Sequence, residues 1–317
     1  MRALAYRFSR SPAEALSAAE RAYQTARTVF RDSPGHPRTI EGRHLYGLAL
    51  GAAGEPFRGI EQLAEAVAEA AAAFGPSSRM VGMFSLSLAE LQLDSGLVVD
   101  AVANSSRAVD IIAQHTTPES FRFANALHLR GLALLAARRV DTALSDLARA
   151  ADTVRRTLPD GHAIARRFRA DHALALAVSG RHRRAEELLE ALIPEPGSAA
   201  DPAGHRALHT MGVVKRLAGD PGDALRYQQQ ALLPAATDRD AELLRMRILT
   251  ELGLGLLDRS KTDEAAASFR QALRLSQRLQ SRTAPERRAI LQGLATANAG
   301  IERRTPNRAA SIAMLQD

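Results

Sequence analysis

The chain has 317 residues, a formal net charge of +7 and no cysteine. The absence of cysteine excludes disulfides, thiolate metal sites and cysteine nucleophiles. Only 4% of the residues are aromatic although 46% are apolar, so the core must be built mainly from Leu, Ala and Val, which suits close packing of helices. Of the 42 cationic residues only Lys215 and Lys261 are lysine. An Arg-rich and Ala-rich genome explains this bias, and the alternative is a surface for acidic partners or nucleic acid.

The N-terminal segment, MRALAYRFSR, lacks the continuous apolar stretch and the small-residue cleavage site of a signal peptide. No segment reaches the roughly 20 uninterrupted apolar residues that a membrane-spanning helix needs. The sequence therefore predicts a cytoplasmic protein that does not cross a membrane.

A lone helix is predicted from Pro12 to Phe30, with Ser11 as its N-cap and Glu14 in its first turn. It matches the second helix of the repeat described below, so residues 1–30 form an incomplete N-terminal repeat and residues 1–10 a remnant of its partner helix. This start inside an array leads us to expect that a larger protein once preceded it, or that the gene start is misplaced.

A repeat of about 42 residues follows, and each copy reads as a helix, a tight turn and a second helix. The stretch from Leu45 to Ala66 shows this plan best. The turn positions are spaced by 42 residues for three steps and then by 39 and 41, which predicts six full repeats over residues 36–280. The six turn positions are Gly54, Gly96, Arg138, Gly180, Gly219 and Ser260.

Small residues recur at fixed places around each turn and predict close contact between the two helices of a copy. Because Gly inside a helix costs about 1 kcal/mol relative to Ala, its recurrence at one register indicates tight packing. Seven residues before the turn lie Gly47, Ala89, Gly131, Ala173, Gly212 and Gly253. About five after it lie Gly59, Ala101, Ala143, Ala185, Ala224 and Ala265. The second helix closes on Ala66, Ala108, Ala150, Ala231 and Ala272, with Leu192 as the departure in the fourth copy. Leu50, Leu63, Leu134 and Phe269 are predicted core residues.

Helix stop-and-restart signals separate the copies at Thr117-Pro118-Glu119 and at residues 158–161. Residues 193–204, IPEPGSAADPAG, predict a loop or hinge within one domain, since the repeat then resumes in register. After a helix that ends at Leu279, residues 284–317 are predicted to form capping helices, one from Ala284 to Gly300 and a short one from Pro306 to Leu315. The cap's predicted polar outer face carries Arg287, Arg288, Arg303, Arg304 and Arg308.

These features resemble the tetratricopeptide repeat (TPR) family over about residues 12–280. The resemblance is carried best by Tyr46-Gly47, Leu50, Gly54, Gly59, Leu63 and Ala66, and by Leu252-Gly253, Leu256, Ala265, Phe269 and Ala272. The linkers Gly35-His36-Pro37 and Gly75-Pro76 are similar to those of the longer, 42-residue kinesin-light-chain type, which also occurs in bacterial signalling proteins. The third copy departs from the pattern at its turn, and the fourth has His172 and Glu186 at usually apolar positions.

The resemblance implies an all-α, right-handed α-solenoid of six to seven hairpins that extends over residues 1–317 as a single domain. It implies a non-catalytic scaffold for proteins or peptides, or the regulatory or sensor arm of a bacterial signalling system. Oligomeric state does not follow from the sequence.

The sequence carries no motif for catalysis, and we expect no enzyme activity, cofactor or metal. Gly253-Leu254-Gly255 lacks the third glycine and preceding strand of a nucleotide-binding fingerprint. His205 and His209 have a spacing that can bind a metal, but no third ligand is evident and two surface or groove histidines are the alternative. Glu186, Glu187 and Glu190 are explained as solvated pairs with nearby arginines.

In the TPR family the first helix of each copy lines a concave groove that holds peptides. Counting the small residue before the turn as position eight, positions two, five, nine and twelve are expected to face this groove. Position two is Glu41, Met83 and Asn125 in the first three copies, and Arg167, Arg206 and Arg247 in the last three.

The predicted peptide-binding residues are Asn125, His128, Arg167, Arg206, His209, Arg216 and Arg247. Their Arg forks suit an extended acidic peptide or a C-terminal carboxylate, and ordinary solvated arginines are the alternative. A nucleic-acid surface is a competing interpretation of the same charge. No aromatic residues interleave with the basic ones and no recognition helix stands out, so this interpretation is the less favoured.

Overall fold

The computed structural model describes residues 12–33, 35–159, 161–193, 202–232 and 239–314, and for residues 304–314 it describes the backbone alone. Within these ranges the chain forms fourteen helices and no strand. They fall into two compact units that divide between residues 160 and 161. The all-helical fold class predicted from the sequence is confirmed, and each unit is described separately below.

The first unit contains a single helix, α1, followed by three helical hairpins. The hairpins are α2–α3, α4–α5 and α6–α7, and each helix packs against the one that follows it. The bounds are α1 Pro12–Val29, α2 Pro37–Ala52, α3 Pro56–Phe74, α4 Arg79–Asp94, α5 Val98–His115, α6 Phe121–Ala136 and α7 Val140–Thr157.

The second unit contains three more hairpins and a long final helix. The hairpins are α8–α9, α10–α11 and α12–α13, and α14 packs on α13. The bounds are α8 Ala163–Val178, α9 His182–Glu190, α10 Pro202–Leu217, α11 Pro221–Ala231, α12 Arg239–Asp258, α13 Thr262–Leu279 and α14 Pro285–Met314.

The same turn closes every hairpin. All six predicted turn positions have a positive φ, including the two that are not glycine, Arg138 at 63° and Ser260 at 59°. The residue after the turn donates its backbone N–H to the carbonyl five residues earlier, as Glu55 does to Leu50 at 2.9 Å and Arg139 to Leu134 at 2.9 Å. This is the Schellman arrangement, which satisfies carbonyls left over at the end of the first helix. The predicted turn positions are confirmed.

Arg138 holds a backbone conformation that suits glycine, so we expect Arg138→Gly to stabilise the first unit. A side chain in the left-handed region costs roughly 1–2 kcal/mol, and part of that gain is lost to the extra freedom of glycine in the unfolded chain. The expected net gain is about 0.5–1 kcal/mol, measured by urea unfolding. Arg139→Gly is the matched control, because Arg139 has φ −91° and should lose stability. An Arg138→Gly variant no more stable than the parent would contradict the prediction.

The recurrent small residues lie where the two helices of a hairpin approach most closely. A Cβ added at Gly47 would meet Leu63 Cγ at 2.9 Å, and one added at Gly131 would meet Leu147 Cγ at 2.6 Å. The glycines therefore make room for large apolar side chains of the second helix. The predicted core residues Leu50, Leu63, Leu134 and Phe269 are all buried, so this part of the sequence analysis is confirmed.

The predicted break at Thr305-Pro306 is wrong, because α14 runs without interruption from Pro285 to Met314. Proline removes a single N–H donor, so a helix can continue past it at a local cost. Arg288 and Arg303 are exposed, as expected of a terminal polar face.

Several predictions fall outside the described residues. They are the partner-helix remnant at residues 1–10, the N-cap at Ser11, most of the 193–204 loop, and the side chains of Arg304, Arg308 and residues 306–315. Continuity of the array over residues 1–317 also stays a prediction.

Candidate functional site

Three of the predicted arginines bind carboxylates that belong to a neighbouring first helix of the second unit. Arg206 on α10 approaches Asp171 on α8, with Nη1 and Oδ1 3.5 Å apart. Arg247 on α12 donates from Nε to Glu286 Oε1 on α14 at 2.8 Å. We call the surface that carries these pairs on α8, α10, α12 and the start of α14 the first-helix face. Arg206 is oriented towards the preceding first helix, whereas Arg247 is oriented towards the helix that follows.

Arg216 forms the tightest of these pairs. Its Nε lies 2.7 Å from Glu251 Oε2, and its Nη2 lies 3.4 Å from Oε1, so the guanidinium grips both carboxylate oxygens across α10 and α12. Burial lowers the pKa of Arg216, but the charge of Glu251 and its hydrogen bond outweigh that effect and leave the pKa raised. The pair therefore couples the two helices.

Arg167 differs from the other three arginines. Its Nε is buried and has no hydrogen-bond acceptor among the described residues. Its guanidinium carbon lies 5.9 Å from the centroid of the neighbouring Phe168 ring. A buried donor without an acceptor costs roughly 1–3 kcal/mol.

The two predicted histidines are buried. His209 Nδ1 lies 2.9 Å from Gln228 Oε1 on α11, and the Gln228 amide donates to the His209 carbonyl at 3.0 Å. Burial lowers the pKa of His209, although the hydrogen bond that the ring can donate to Gln228 Oε1 opposes this. His128 is buried in α6, whereas Asn125 is partly exposed. His209 is thus paired inside its hairpin.

The sequence analysis missed the acidic half of these pairs. Asp171 and Glu251 both stand at position six of a first helix, four residues after an arginine at position two, and Asp171 is only 4% exposed. An acidic residue four positions after an arginine on a first helix was the available signal. Of the glutamate cluster on α9, Glu187 pairs with Arg183 as expected, but Glu186 binds Lys215 on α10 at 2.9 Å.

The comparisons with known proteins bear on the fold. No protein-family model matches the sequence, and no curated protein gives a significant match. A tetratricopeptide repeat protein from Parabacteroides merdae superimposes with a TM-score of 0.60 at 15% identity, covering 91% of this chain and 99% of that one. The kinesin light chain TPR-like repeats of Podosopora anserina give 0.53 at 21% identity, covering 62% and 94%. The chain folds as a TPR-like repeat protein.

A third solved structure, the apo form of the quorum sensor NprR from B. thuringiensis, gives a TM-score of 0.50 at 14% identity, covering 89% of this chain and 74% of that one. At these identities the likeness establishes the TPR-like fold, and the use of that fold has to be argued from the residues of this chain.

The first unit of this TPR-like chain has a cavity of about 280 Å³ between α1, α2 and α3. Tyr23 and Tyr46 stack in its wall with ring centroids 6.0 Å apart, and burial raises the pKa of Tyr23. Arg43 pairs with Glu69 at 3.1 Å, and Arg58 pairs with Glu55 and donates to the Tyr46 hydroxyl at 3.2 Å. Arg43 and Arg58 pair within the first hairpin, and the stacked tyrosines link α1 to it.

Two searches of the described residues were negative. No group of three or more His, Asp or Glu side chains in that part of the chain is arranged to hold a metal ion. Among the described helices none is both long and apolar enough to span a membrane. His205, the other member of the candidate metal pair, instead places Nδ1 3.1 Å from the Ala231 carbonyl oxygen.

Proposed function

We propose that this protein is a non-catalytic scaffold that binds an acidic peptide segment, or a peptide's C-terminal carboxylate, on the first-helix face of its second unit. The observation that carries the proposal is that Arg206, Arg216 and Arg247 each bind a carboxylate there. The face is therefore chemically suited to the functional group that an acidic ligand would bring.

The physical basis is the partial burial of these guanidinium groups. An ion pair in water contributes little, but a guanidinium at the edge of a protein interior is less screened and holds its orientation. Its planar fork matches the two oxygens of a carboxylate, which gives direction as well as charge.

The same scaffold could serve as the regulatory arm of a cytoplasmic bacterial signalling system. This second form of the proposal is supported by the likeness to the quorum sensor NprR. It requires the two units to work as one continuous array over residues 1–317, which we include in the proposal.

The test uses fluorescein-labelled hexaglutamate, with a free or an amidated C-terminus, and hexaglutamine as the uncharged probe. We expect the triple variant Arg167→Ala/Arg206→Ala/Arg247→Ala to bind hexaglutamate at least about tenfold more weakly than the parent protein, a change of about 1.4 kcal/mol. Fluorescence anisotropy at a fixed salt concentration near 100 mM measures the Kd. Weaker binding of the amidated probe would identify the terminal carboxylate as part of the recognised group.

The matched control removes three arginines from the second helices of the same unit, Arg183→Ala/Arg226→Ala/Arg270→Ala. It changes the net charge equally, so any loss caused by overall charge would appear in both variants. Equal binding by the two triple variants, or no binding of hexaglutamate by the parent protein, would contradict the proposal. Circular dichroism of both variants checks that their helix content is kept.

A further inference from the structure

Most of the protein's net positive charge lies in one short segment of the second unit. Residues 270–288 contain six arginines and one glutamate, a formal net charge of +5 against +7 for the whole chain. The segment covers the second half of α13, the turn after it and the first turn of α14. Its single glutamate, Glu286, binds Arg247 on α12. The positive charge of the segment is therefore not compensated from within.

Three of these arginines form a row along α13. Arg270, Arg274 and Arg278 are four residues apart, so they share one side of the helix and rise by about 6 Å from one to the next. Arg282 follows in the turn and Arg288 at the start of α14. All five are exposed, and we call them the α13 arginine row.

The α13 arginine row has few partners on the protein itself. Arg278 pairs with Glu242 on α12, and Arg270 donates to the Asn298 side-chain oxygen on α14 at 3.3 Å. The guanidinium groups of the other three members make no hydrogen bond or ion pair with any residue that the structure describes. Like charges four residues apart weaken a helix. The row therefore costs stability that its few contacts do not restore.

The other hairpins show that the row does not follow from the arginine-rich composition alone. Its three helical members stand 10, 14 and 18 residues after the turn position of their hairpin. Three other second helices are long enough to reach all three places, and their nine residues there include one base and two acids. They are Ala64, Ala68 and Ala72 in α3, Ser106, Asp110 and Gln114 in α5, and Ala148, Asp152 and Arg156 in α7. The row is thus a property of α13 and not of the repeat.

The exposure of the row determines which kind of anion it can hold. Arg278 is 57% exposed, whereas the arginines of the first-helix face are 22–31% exposed. An exposed arginine gains little from a single carboxylate, because water and salt screen the pair. A nucleic acid attracts exposed cations by another route, since each neutralised phosphate releases counterions condensed along the strand. Exposed arginines in a row therefore suit a chain of phosphates better than isolated carboxylates.

We propose that the α13 arginine row binds the phosphate backbone of double-stranded DNA without reading its sequence. Contacts to phosphates position a protein on the duplex and carry no base information, so neither a recognition helix nor interleaved aromatic residues are needed. A single strand would be held by stacking on aromatic rings, and Phe269, the aromatic residue of α13, is fully buried. This second binding surface goes beyond the proposed function, which uses the first-helix face.

An anionic membrane is the other polyanion that exposed arginines attract. Helices that lie on a bilayer also insert an apolar face among the lipids. The apolar side of α13 is packed in the core, where Ala265, Phe269, Ala272 and Leu279 are at most 1% exposed. This packing favours DNA, and vesicles enter the test as the competing ligand.

The first test measures binding of fluorescein-labelled DNA duplexes of about 20 base pairs by fluorescence anisotropy. If about four phosphates are neutralised, the Kd should rise roughly 100-fold between about 50 and 200 mM NaCl. Two duplexes of unrelated sequence should bind within about threefold of each other. Absence of duplex binding at the lower salt concentration would overturn the proposal. Retention by phosphatidylglycerol vesicles but not by DNA would overturn it in favour of a membrane.

The second test uses the triple variant Arg274→Gln/Arg282→Gln/Arg288→Gln, which removes the three members without a partner on the described chain. We expect it to bind the duplex at least about tenfold more weakly at the lower salt concentration, with a salt slope smaller by roughly 2–3. Replacing the same three residues by lysine keeps the charge and should keep the Kd within about threefold of the parent value. Full binding by the glutamine variant would overturn the proposal.

The matched control removes three exposed arginines from α9 and α11 of the same unit, Arg183→Gln/Arg184→Gln/Arg226→Gln. It changes the net charge by the same amount but leaves the α13 arginine row intact. We expect its Kd for the duplex to stay within about threefold of the parent value. Equal losses in the two glutamine variants, with helix content preserved, would assign DNA binding to overall charge and overturn the role of the row.

Discussion

Phe269→Ala is expected to lower the free energy of unfolding of the second unit by about 3–5 kcal/mol. Phe269 is fully buried, and its ring fills space that two glycines leave open. A Cβ added at Gly253 would come within 2.7 Å of the ring, and one at Gly293 within 2.4 Å. Truncation therefore opens a cavity walled by helix backbone at two glycines, where no side chain can move in to fill it.

Urea unfolding followed by circular dichroism measures this loss. Leu291→Ala is the control within the same unit, because Leu291 is 46% exposed and should lose about 0.5 kcal/mol. Similar losses in the two variants would show that Phe269 is not the centre of this packing.

A second prediction concerns the contact between Gly293 and the Phe269 ring. Gly293→Ala alone should destabilise the protein, since its new methyl group would press on the Phe269 ring. In the Phe269→Ala background the ring is gone, and alanine is a better helix former than glycine by about 1 kcal/mol. The same substitution should then be stabilising. A change of sign between the two backgrounds can come only from direct contact between the two positions.

The hairpins could be predicted from the sequence because their geometry repeats. Six turns spaced by 39 to 42 residues fix where each first helix ends, and a residue with a left-handed backbone conformation is needed there whatever its identity. Arg138 and Ser260 were assigned as turn residues on spacing alone, and both have the expected positive φ. The apolar core followed for the same reason, since each small residue marks the place where a large one must fit.

The orientation of the histidines could not be read from the same register. His209 lies three residues before Gly212, close to one helical turn, so it shares the face that packs against α11. The second helix of this hairpin places Gln228 opposite His209. Other hairpins have Leu63, Leu147 or Leu189 at the same position, nine residues after the turn. A buried imidazole needs a polar partner, and glutamine in place of leucine was the signal available in the sequence.

The ion pairs between first helices could not be predicted from the sequence for a different reason. Arg206 and Asp171 are 35 residues apart and Arg247 and Glu286 are 39 apart, so each pair spans one repeat. The repeat register predicts that the two residues of each pair lie on neighbouring helices. It does not predict whether they touch, because long side chains have several rotamers of similar energy. The carboxylate that each arginine binds depends on the distance between neighbouring helices.

Arg130→Met is expected to lower the free energy of unfolding of the first unit by about 2–3 kcal/mol. Arg130 on α6 holds Asp146 on α7 through two bonds, from Nε at 2.6 Å and Nη2 at 2.8 Å. The Asp146 side chain is 9% exposed, so the substitution leaves a carboxylate in the hairpin without its partner. Breaking a fully buried pair costs about 3–5 kcal/mol, and we expect less because Arg130 is 22% exposed.

A double-mutant cycle separates this charge effect from lost packing. Asp146→Leu in the Arg130→Met background removes the stranded carboxylate and should recover most of the loss, giving a coupling of about 1.5 kcal/mol or more. Arg155→Met is the control, because Arg155 is 59% exposed, pairs with Asp152 on the same helix α7, and should change stability by about 0.5 kcal/mol at most. If Arg130→Met were as mild as Arg155→Met, the pair would stabilise the third hairpin no more than a surface contact does. The hairpin would then depend on its apolar contacts alone.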